Sequence, residues 1–247
     1  MQRTVVLITG GGAGIGRAAA LLFARQGAQV VVTGRREPAL QALASEHDGI
    51  DYVVANASSA DDAARTVQTV VARHGRLDVL VNNAGAGAIL PLAQASVDQV
   101  QAIFATNVIG PSLLATAALP HLKSARGAIV NVSSTFGHKA GAMLSHYAGS
   151  KAALEHMTRC WALELAADGV RVNAVAAGPT ETDFLAERMQ LTPEQIAQVK
   201  AQERASIPLG RRGLPEDAAA WIVSLAGRDA AWITGQVLAV DGGLNIA

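Results

Sequence analysis

The stretch Thr4-Val5-Val6-Leu7-Ile8-Thr9-Gly10-Gly11-Gly12-Ala13-Gly14-Ile15-Gly16-Arg17 decides the fold. A β-branched run ends in a cluster of glycines, and an alanine-rich segment with helical spacing, 15–26, follows at once. Glycines at such a turn permit positive φ and let backbone amides come close to a ligand. The start of the helix adds unsatisfied N–H groups and a dipole that favours an anion. No Lys-Ser or Lys-Thr follows the glycines, which excludes a kinase-type phosphate loop. The G-x-G-x-x-G spacing is absent as well; the match is to T-G-x-x-x-G-x-G. Glycines also serve any tight strand-to-helix turn, so the position directly after the first strand carries the argument.

Outward from this turn, short β-branched runs alternate with longer alanine-rich segments. The strand-like runs are Val5–Ile8, Val30–Thr33, Tyr52–Val54, Val79–Val81, Ile129–Val132, Val170–Val175 and Val237–Val240. Continuous apolar runs of this kind suit parallel strands covered on both faces. Helical spacing marks 15–26, 38–46, 60–74, 97–121, 148–167 and 215–226. Right-handed βαβ units join such elements most economically. The expected fold is α/β, a single doubly wound Rossmann-type domain over 1–247 with a mostly parallel seven-stranded sheet.

Composition agrees. Half of the 247 residues are apolar and only 16% are charged, which excludes a disordered chain. Twenty basic residues balance twenty acidic ones, so no charge excess calls for nucleic acid or an anionic membrane. Cys160 is the only cysteine, which leaves no intrachain disulfide and no cysteine-based zinc site. The run Thr4–Thr9 is too short for a signal peptide, and no apolar stretch reaches membrane-spanning length. A cytoplasmic protein is expected.

One segment breaks the rhythm. Residues 178–212 hold Pro179, Pro193, Pro208 and Gly210, with a helix expected from Thr192, as N-cap, to Arg204. A long excursion near the carboxyl ends of the strands reads as a substrate lid. The second strand ends in Thr33-Gly34-Arg35-Arg36. An NAD site places an acid near here for the ribose 2′-hydroxyl, and Gly34 cannot serve. Arg35 and Arg36 suit a 2′-phosphate, which favours NADP(H) over NAD(H). Glu37 is the alternative ribose partner.

Tyr147 and Lys151, four residues apart, share one face of a helix. Bringing a phenol from a pKa of about 10 to near 7 requires roughly 4 kcal/mol of preference for phenolate. One cation about 4 Å away at an effective dielectric near 20 supplies about that much. The pair can therefore act as proton donor and acceptor near neutral pH. A tyrosine packed on an aliphatic lysine stem is the structural alternative.

With these motifs in order, the sequence resembles the short-chain dehydrogenase/reductase family in its single-domain branch of about 250 residues, over nearly the whole chain. The T-G-x-x-x-G-x-G turn is followed by Asn82-Asn83-Ala84-Gly85, by Asn107-Val108-Ile109-Gly110, and by Asn131-Val132-Ser133-Ser134 thirteen residues before Tyr147. Then come Tyr147-Ala148-Gly149-Ser150-Lys151, Trp232-Ile233-Thr234-Gly235-Gln236 and Val240-Asp241-Gly242-Gly243. The resemblance implies that Asn107, Ser134, Tyr147 and Lys151 are catalytic. Lys151 would hold the nicotinamide ribose and lower the Tyr147 pKa, and Tyr147 would exchange a proton with the substrate oxygen. Ser134 would orient that oxygen, and Asn107 would hold a water linking Lys151 to solvent. It further implies a cofactor site at Gly10, Gly12, Gly14, Ile15, Gly16, Asn56, Ala57, Asn83, Ala84, Gly85, Gly178, Thr180 and Thr182, joined by Arg35, Arg36, Tyr147 and Lys151. No metal is needed.

Departures from the family pattern are Asn56 where an aspartate is common, Ala177-Gly178-Pro179 in place of Pro-Gly, and Ala13 where a basic residue often stands. Candidate substrate-lining residues lie in Gly87–Leu90, Thr135–His146 and Phe184–Met189, mostly small or apolar, with Lys139 and Arg188 as the possible grips on a carboxylate. His138 and His146 read as structural. The expected substrate is a small-molecule ketone or secondary alcohol. A β-ketoacyl carrier-protein reductase is one alternative, though Leu144-Ser145-His146 before the tyrosine and Asp168 before the sixth strand depart from that pattern. A non-catalytic NADP(H)-binding sensor is the other, and the complete set of four catalytic residues favours the enzyme. Relatives pair the two long alanine-rich helices in a four-helix contact, which implies a homotetramer.

Overall fold

The computed structural model describes residues 4–247. Its strands are β1 (Val5–Thr9), β2 (Gln29–Gly34), β3 (Ile50–Val54), β4 (Val79–Asn82), β5 (Ala128–Ser134), β6 (Arg171–Ala177) and β7 (Val237–Val240). Its α-helices are α1 (Gly14–Arg25), α2 (Glu37–Ala44), α3 (Ala60–His74), α4 (Val97–Phe104), α5 (Gly110–Ala125), α6 (Ser145–Leu165), α7 (Phe184–Glu187), α8 (Pro193–Ser206) and α9 (Pro215–Ala226). The strands form one sheet in the order β3-β2-β1-β4-β5-β6-β7, and every pairing among them is parallel. The chain runs outward from β1 to β3, then crosses back and runs outward from β4 to β7. That reversal leaves a crevice between the carboxyl ends of β1 and β4.

Strand periodicity sends successive residues to opposite faces, and here both faces are apolar. Val6 and Ile8 of β1 pack with Val30, Val32, Val79 and Val81 under α1, α2 and α9. Val5 and Leu7 pack with Val31, Leu80 and Ile129 under α3, α5 and α6. Helix ends follow local chemistry. Ser59 caps α3 by accepting from the Asp62 N–H at 3.2 Å, and Gly75 (φ 76°) closes that helix in the left-handed region. Thr192 and Gln195 form a capping box at the start of α8, as the Thr192 N-cap led us to expect. Short α7 was not foreseen within the 178–212 excursion.

The expected helix over 97–121 is α4 and α5 joined by a π-turn, Ala105–Ile109. Pro111 has no N–H for the Asn107 carbonyl four residues earlier, so the α-helical ladder cannot continue through this point. The joined run also corrects the expectation about membrane-spanning length. Val97–Ala125 is a 29-residue helical stretch containing an 18-residue window of mean hydropathy 1.6, long and apolar enough to span a bilayer by those measures. In the fold, Leu114, Ala115, Ala118 and Leu122 of this run pack on the sheet.

Buried amides tie the sheet to α6. Asn82 Nδ2 donates to Asn131 Oδ1 at 2.9 Å, Asn131 Nδ2 donates to Thr158 Oγ1 at 2.8 Å, and the Thr158 hydroxyl donates to the Leu154 carbonyl at 2.8 Å. Asn131 and Thr158 are fully buried. A buried polar group left without its partner costs roughly 1–3 kcal/mol. Asn131→Leu strands both neighbours, so denaturant unfolding should show a loss of roughly 2–4 kcal/mol; a loss below about 0.5 kcal/mol would show the ladder to be dispensable.

Candidate active site

The turn after β1 is held by hydrogen bonds that cross the switch point. Thr9 Oγ1 accepts from the N–H groups of Asn83 and Ala84, both at 3.0 Å. Asn83 Nδ2 donates to the carbonyls of Thr9 and Gly10 at 2.9 and 3.1 Å. Gly10 (φ 65°) and Gly14 (φ 53°) occupy the left-handed region that only glycine adopts freely. Gly16 does not line the cavity along the strand ends. A Cβ there would stand 2.4 Å from Asn83 Nδ2 and 2.5 Å from the Gly10 carbonyl oxygen, so its role is close packing of α1 on the turn. The N-cap of α1 is Ala13, which has no side chain to accept from the first-turn N–H groups.

A cavity of about 780 Å³ runs along the carboxyl ends of the strands. Gly10, Gly12, Gly14 and Ile15 line it beside Asn83, Ala84 and Gly85. Arg35 and Arg36 stand at the β2 end, next to Asn56 and Ala57 after β3. Ser134, Tyr147 and Lys151 stand at the β5 end. Gly178, Thr180 and Thr182 bring the 178–212 excursion onto the wall, followed by Phe184, Leu185 and Met189. The structure therefore brings together every sequence-predicted site residue except Gly16 and Asn107. Glu37 is off the wall and accepts from the Tyr52 hydroxyl at 3.3 Å. Asn56 donates its N–H to Asp62 at 2.7 Å, and its side-chain oxygen accepts from the Ser58 N–H and hydroxyl at 3.2 and 3.0 Å.

Asn107 lies behind the wall, completely buried in the π-turn. Its Oδ1 accepts from the Ala86 N–H at 2.8 Å, and its Nδ2 donates to the Ala86 carbonyl at 2.8 Å and to Ser150 Oγ at 2.9 Å. The Asn107 side-chain amide thus fastens the Asn83–Ala86 turn to α6. Its neighbour Gly110 presses α5 onto the loop after β3, where a Cβ would be 2.4 Å from the Ala57 carbonyl oxygen.

Tyr147 and Lys151 occupy successive turns near the start of α6, both buried. Burial pushes the Tyr147 phenol up from its ordinary value, opposed by its hydrogen bond to Ser134. The Lys151 ammonium donates to the Val132 carbonyl at 2.8 Å. Burial lowers its pKa to about 8, against the attraction of Glu155. The lysine therefore sits on β5, and in the chain itself the phenol is not depressed as the sequence reading expected. Each group alone resists its own charge, because a lone ion is poorly solvated here. Phe184 comes over Tyr147 with ring centroids 6.1 Å apart.

Several residues of the site were missed in the sequence. Buried Glu155 accepts from Ser133 Oγ at 2.6 Å and contacts His138 Nδ1 at 3.0 Å, and burial raises its pKa. Its spacing four residues beyond Lys151 was the available signal. Asp241 accepts from the Thr135 hydroxyl at 2.9 Å and backs the turn after Ser134. Arg212, almost fully buried, donates to the Thr180 carbonyl at 2.6 Å and pairs with Glu181 and Glu203. Among the expected substrate residues, Phe136, Phe184, Leu185 and Met189 reach the cavity, whereas Met143 is exposed and off the wall. Lys139 contacts the Ala247 carbonyl instead of facing a substrate.

Lys151 makes stability depend on pH. Below about pH 8 it is charged in both folded and unfolded chains, and its burial opposes folding in full. Between about 8 and 10.5 the folded chain releases the proton first, so wild-type stability rises with pH relative to a variant lacking the amine. The unfolding free energy of wild type minus that of Lys151→Met should rise by on the order of 2–3 kcal/mol over that range. A difference flat with pH would contradict a buried ammonium.

Comparison with known proteins accords with this geometry. A family model described as enoyl-(acyl carrier protein) reductase matches residues 10–245. The chain is 40% identical over 253 residues to a 3-oxoacyl-(acyl-carrier-protein) reductase of Thermotoga maritima, covering all of this chain and 99% of the relative. It is 35% identical over 246 residues to L-fucose dehydrogenase of Bos taurus, covering 98% and 89%. Among solved structures, 3-ketoacyl-(acyl-carrier-protein) reductase from Brucella melitensis, complexed with NADH, superposes with a TM-score of 0.91 at 32% identity, covering 98% of each chain. A short-chain type dehydrogenase/reductase from Mycobacterium marinum gives 0.90 at 32% identity, covering 98% of this chain and 95% of that one. The chain belongs to the short-chain dehydrogenase/reductase family of oxidoreductases.

Proposed function

We propose that the protein transfers hydride between NADP(H) and a ketone or secondary alcohol, with Tyr147 as general acid and base and residues 178–212 as the lid of a single catalytic domain. The observation that carries this reading is the convergence of Ser134, Tyr147 and Lys151 at one end of a cavity whose other end holds Arg35 and Arg36. The residues present fit a dinucleotide. Uncapped first-turn N–H groups of α1 suit a pyrophosphate, and Arg35 and Arg36 suit a 2′-phosphate. When bound, the nicotinamide supplies or takes up the hydride, and that chemistry is the cofactor's own.

What the chain itself contributes is proton handling and orientation. During reduction Tyr147 gives its proton to the carbonyl oxygen, and during oxidation it takes the proton from the hydroxyl. Its raised pKa keeps it protonated, a donor ready for reduction. Ser134 donates to the oxygen on which charge develops. The Lys151 ammonium offsets the phenolate as it forms, in a site where burial disfavours either charge alone. Asn107 acts here as a positioning residue. Phe136, Phe184, Leu185 and Met189 give the substrate end an apolar wall, in keeping with a neutral substrate.

Similarity to the 3-oxoacyl-(acyl-carrier-protein) reductases favours a second reading, reduction of a carrier-bound β-ketoacyl group. Asp168, which stands where a basic docking residue would suit an acidic carrier, is paired with Lys123 at 2.7 Å. Cytoplasmic location and a homotetramer built on α4, α5 and α6 complete the proposal; Ile109 of the π-turn and Leu163 of α6 are exposed there.

NADPH should bind at least about tenfold more tightly than NADH, as a charge-assisted phosphate contact requires. Equal affinity would remove the cofactor assignment. Across a panel of simple ketones and a β-ketoacyl carrier thioester, Tyr147→Phe should lower kcat by about 10³-fold while NADPH affinity stays within about twofold. Ser134→Ala should cost about 10²-fold in kcat. Wild-type turnover by Tyr147→Phe would end the acid–base role.

A further inference from the structure

Helix α7 spans the cavity. Phe184, its first residue, lies over the Tyr147 ring, and Glu187, its last, reaches Arg36 at the end of β2. Arg188 follows, half-buried on the wall that Arg35 and Arg36 share. Burial disfavours its charge most, and the nearby Arg35 and Arg36 guanidiniums add to this, with Glu187 in opposition. Three guanidiniums and one carboxylate thus meet where β2 ends. The cluster carries a local excess of two positive charges, from three arginines less Glu187. That excess matches a phosphate monoester, which carries about −1.5 to −2 at pH 7. The sequence offered Arg188 as a grip on a substrate carboxylate; the fold sets it with the two arginines of the cofactor end instead.

We propose that Arg188 completes the 2′-phosphate site and that Glu187 occupies Arg36 in the phosphate's absence: the phosphate displaces Glu187 from Arg36 and is held jointly by Arg35, Arg36 and Arg188. This rests on the NADP(H) reading above and extends it to the lid. The phosphate then takes over from Glu187 in holding α7 at the adenosine end, and the same helix keeps Phe184 on Tyr147. NADP(H) is thereby read twice, by the sheet and by the lid, whereas NAD(H) leaves Glu187 on Arg36. The exchange is an ion-pair swap with no covalent step.

Fluorescence titration with NADPH and NADH tests this on wild type, Arg188→Gln, Glu187→Gln, Arg35→Ala and Arg36→Ala. Arg188→Gln should weaken NADPH about tenfold and leave NADH within about twofold. Glu187→Gln removes the competing carboxylate and should tighten NADPH about two- to fivefold. Hydrogen exchange provides a readout independent of turnover: 2′,5′-ADP should protect amides of 184–189, and 5′-ADP should not. Suppose Arg35→Ala and Arg36→Ala abolish the NADPH preference while Arg188→Gln and Glu187→Gln leave it intact. The lid role is then overturned and the NADP(H) reading stands. If none of the four variants moves the preference, both fall. Equal loss of NADPH and NADH in Arg188→Gln also overturns it, by showing a packing role.

Discussion

Everything in this molecule that faces a ligand depends on how the sheet reverses between β1 and β4. Adjacent parallel strands whose connections run to opposite sides leave a gap at their carboxyl ends, where neither helix layer closes over the strand tips. Thr9 and Asn83 hold that gap to a set width. One hydroxyl accepts two backbone N–H groups from the β4 side, and one amide donates to two carbonyls on the β1 side. These bonds satisfy backbone groups that the sheet cannot pair at its end. They also oblige α1 to start against Asn83, which leaves no room for a side chain at Gly16.

The reacting end is built by the same means, buried polar groups bonded to one another. The Asn82–Asn131–Thr158 ladder sets α6 on β4 and β5, and Asn107 sets the Asn83–Ala86 turn on Ser150 of α6. Tyr147 and Lys151 are therefore delivered by a helix fixed from two sides. Glu155, bonded to Ser133 and His138, joins the same helix to the strand end that carries Ser134. Each bond contributes modestly, about 1 kcal/mol net. The larger effect is on geometry, because an unsatisfied alternative placement would be far costlier in this dry interior.

Much of the fold was legible in the sequence, and the reasons are local. Seven β-branched runs in alternation with alanine-rich segments specify a covered parallel sheet, since only such a sheet buries both faces of a strand. The extent of α3 followed from helical spacing over 60–74, and the start of α8 at Thr192 from capping chemistry. Less legible was the middle of 97–125, where Pro111 turns one helix into two joined by a π-turn. Short α7 was invisible too, because four residues carry no periodicity to detect.

The sequence by itself determined the layered architecture, the glycine turn and the shared face of Tyr147 and Lys151, because each follows from spacing within one element or across one connection. Tertiary structure alone decided which of those residues face the cavity. Gly16 and Asn107 belong to the packing behind it, while Arg188, Glu187 and Arg212 arrive from a segment far along the chain. It also decided the protonation of the pair: Lys151 lies on the Val132 carbonyl with its pKa lowered to about 8, and the phenol is raised rather than lowered. The physical reason is the same in each instance. Burial and charge environment are sums over neighbours from distant parts of the chain, and one-dimensional spacing contains only the neighbours close in sequence.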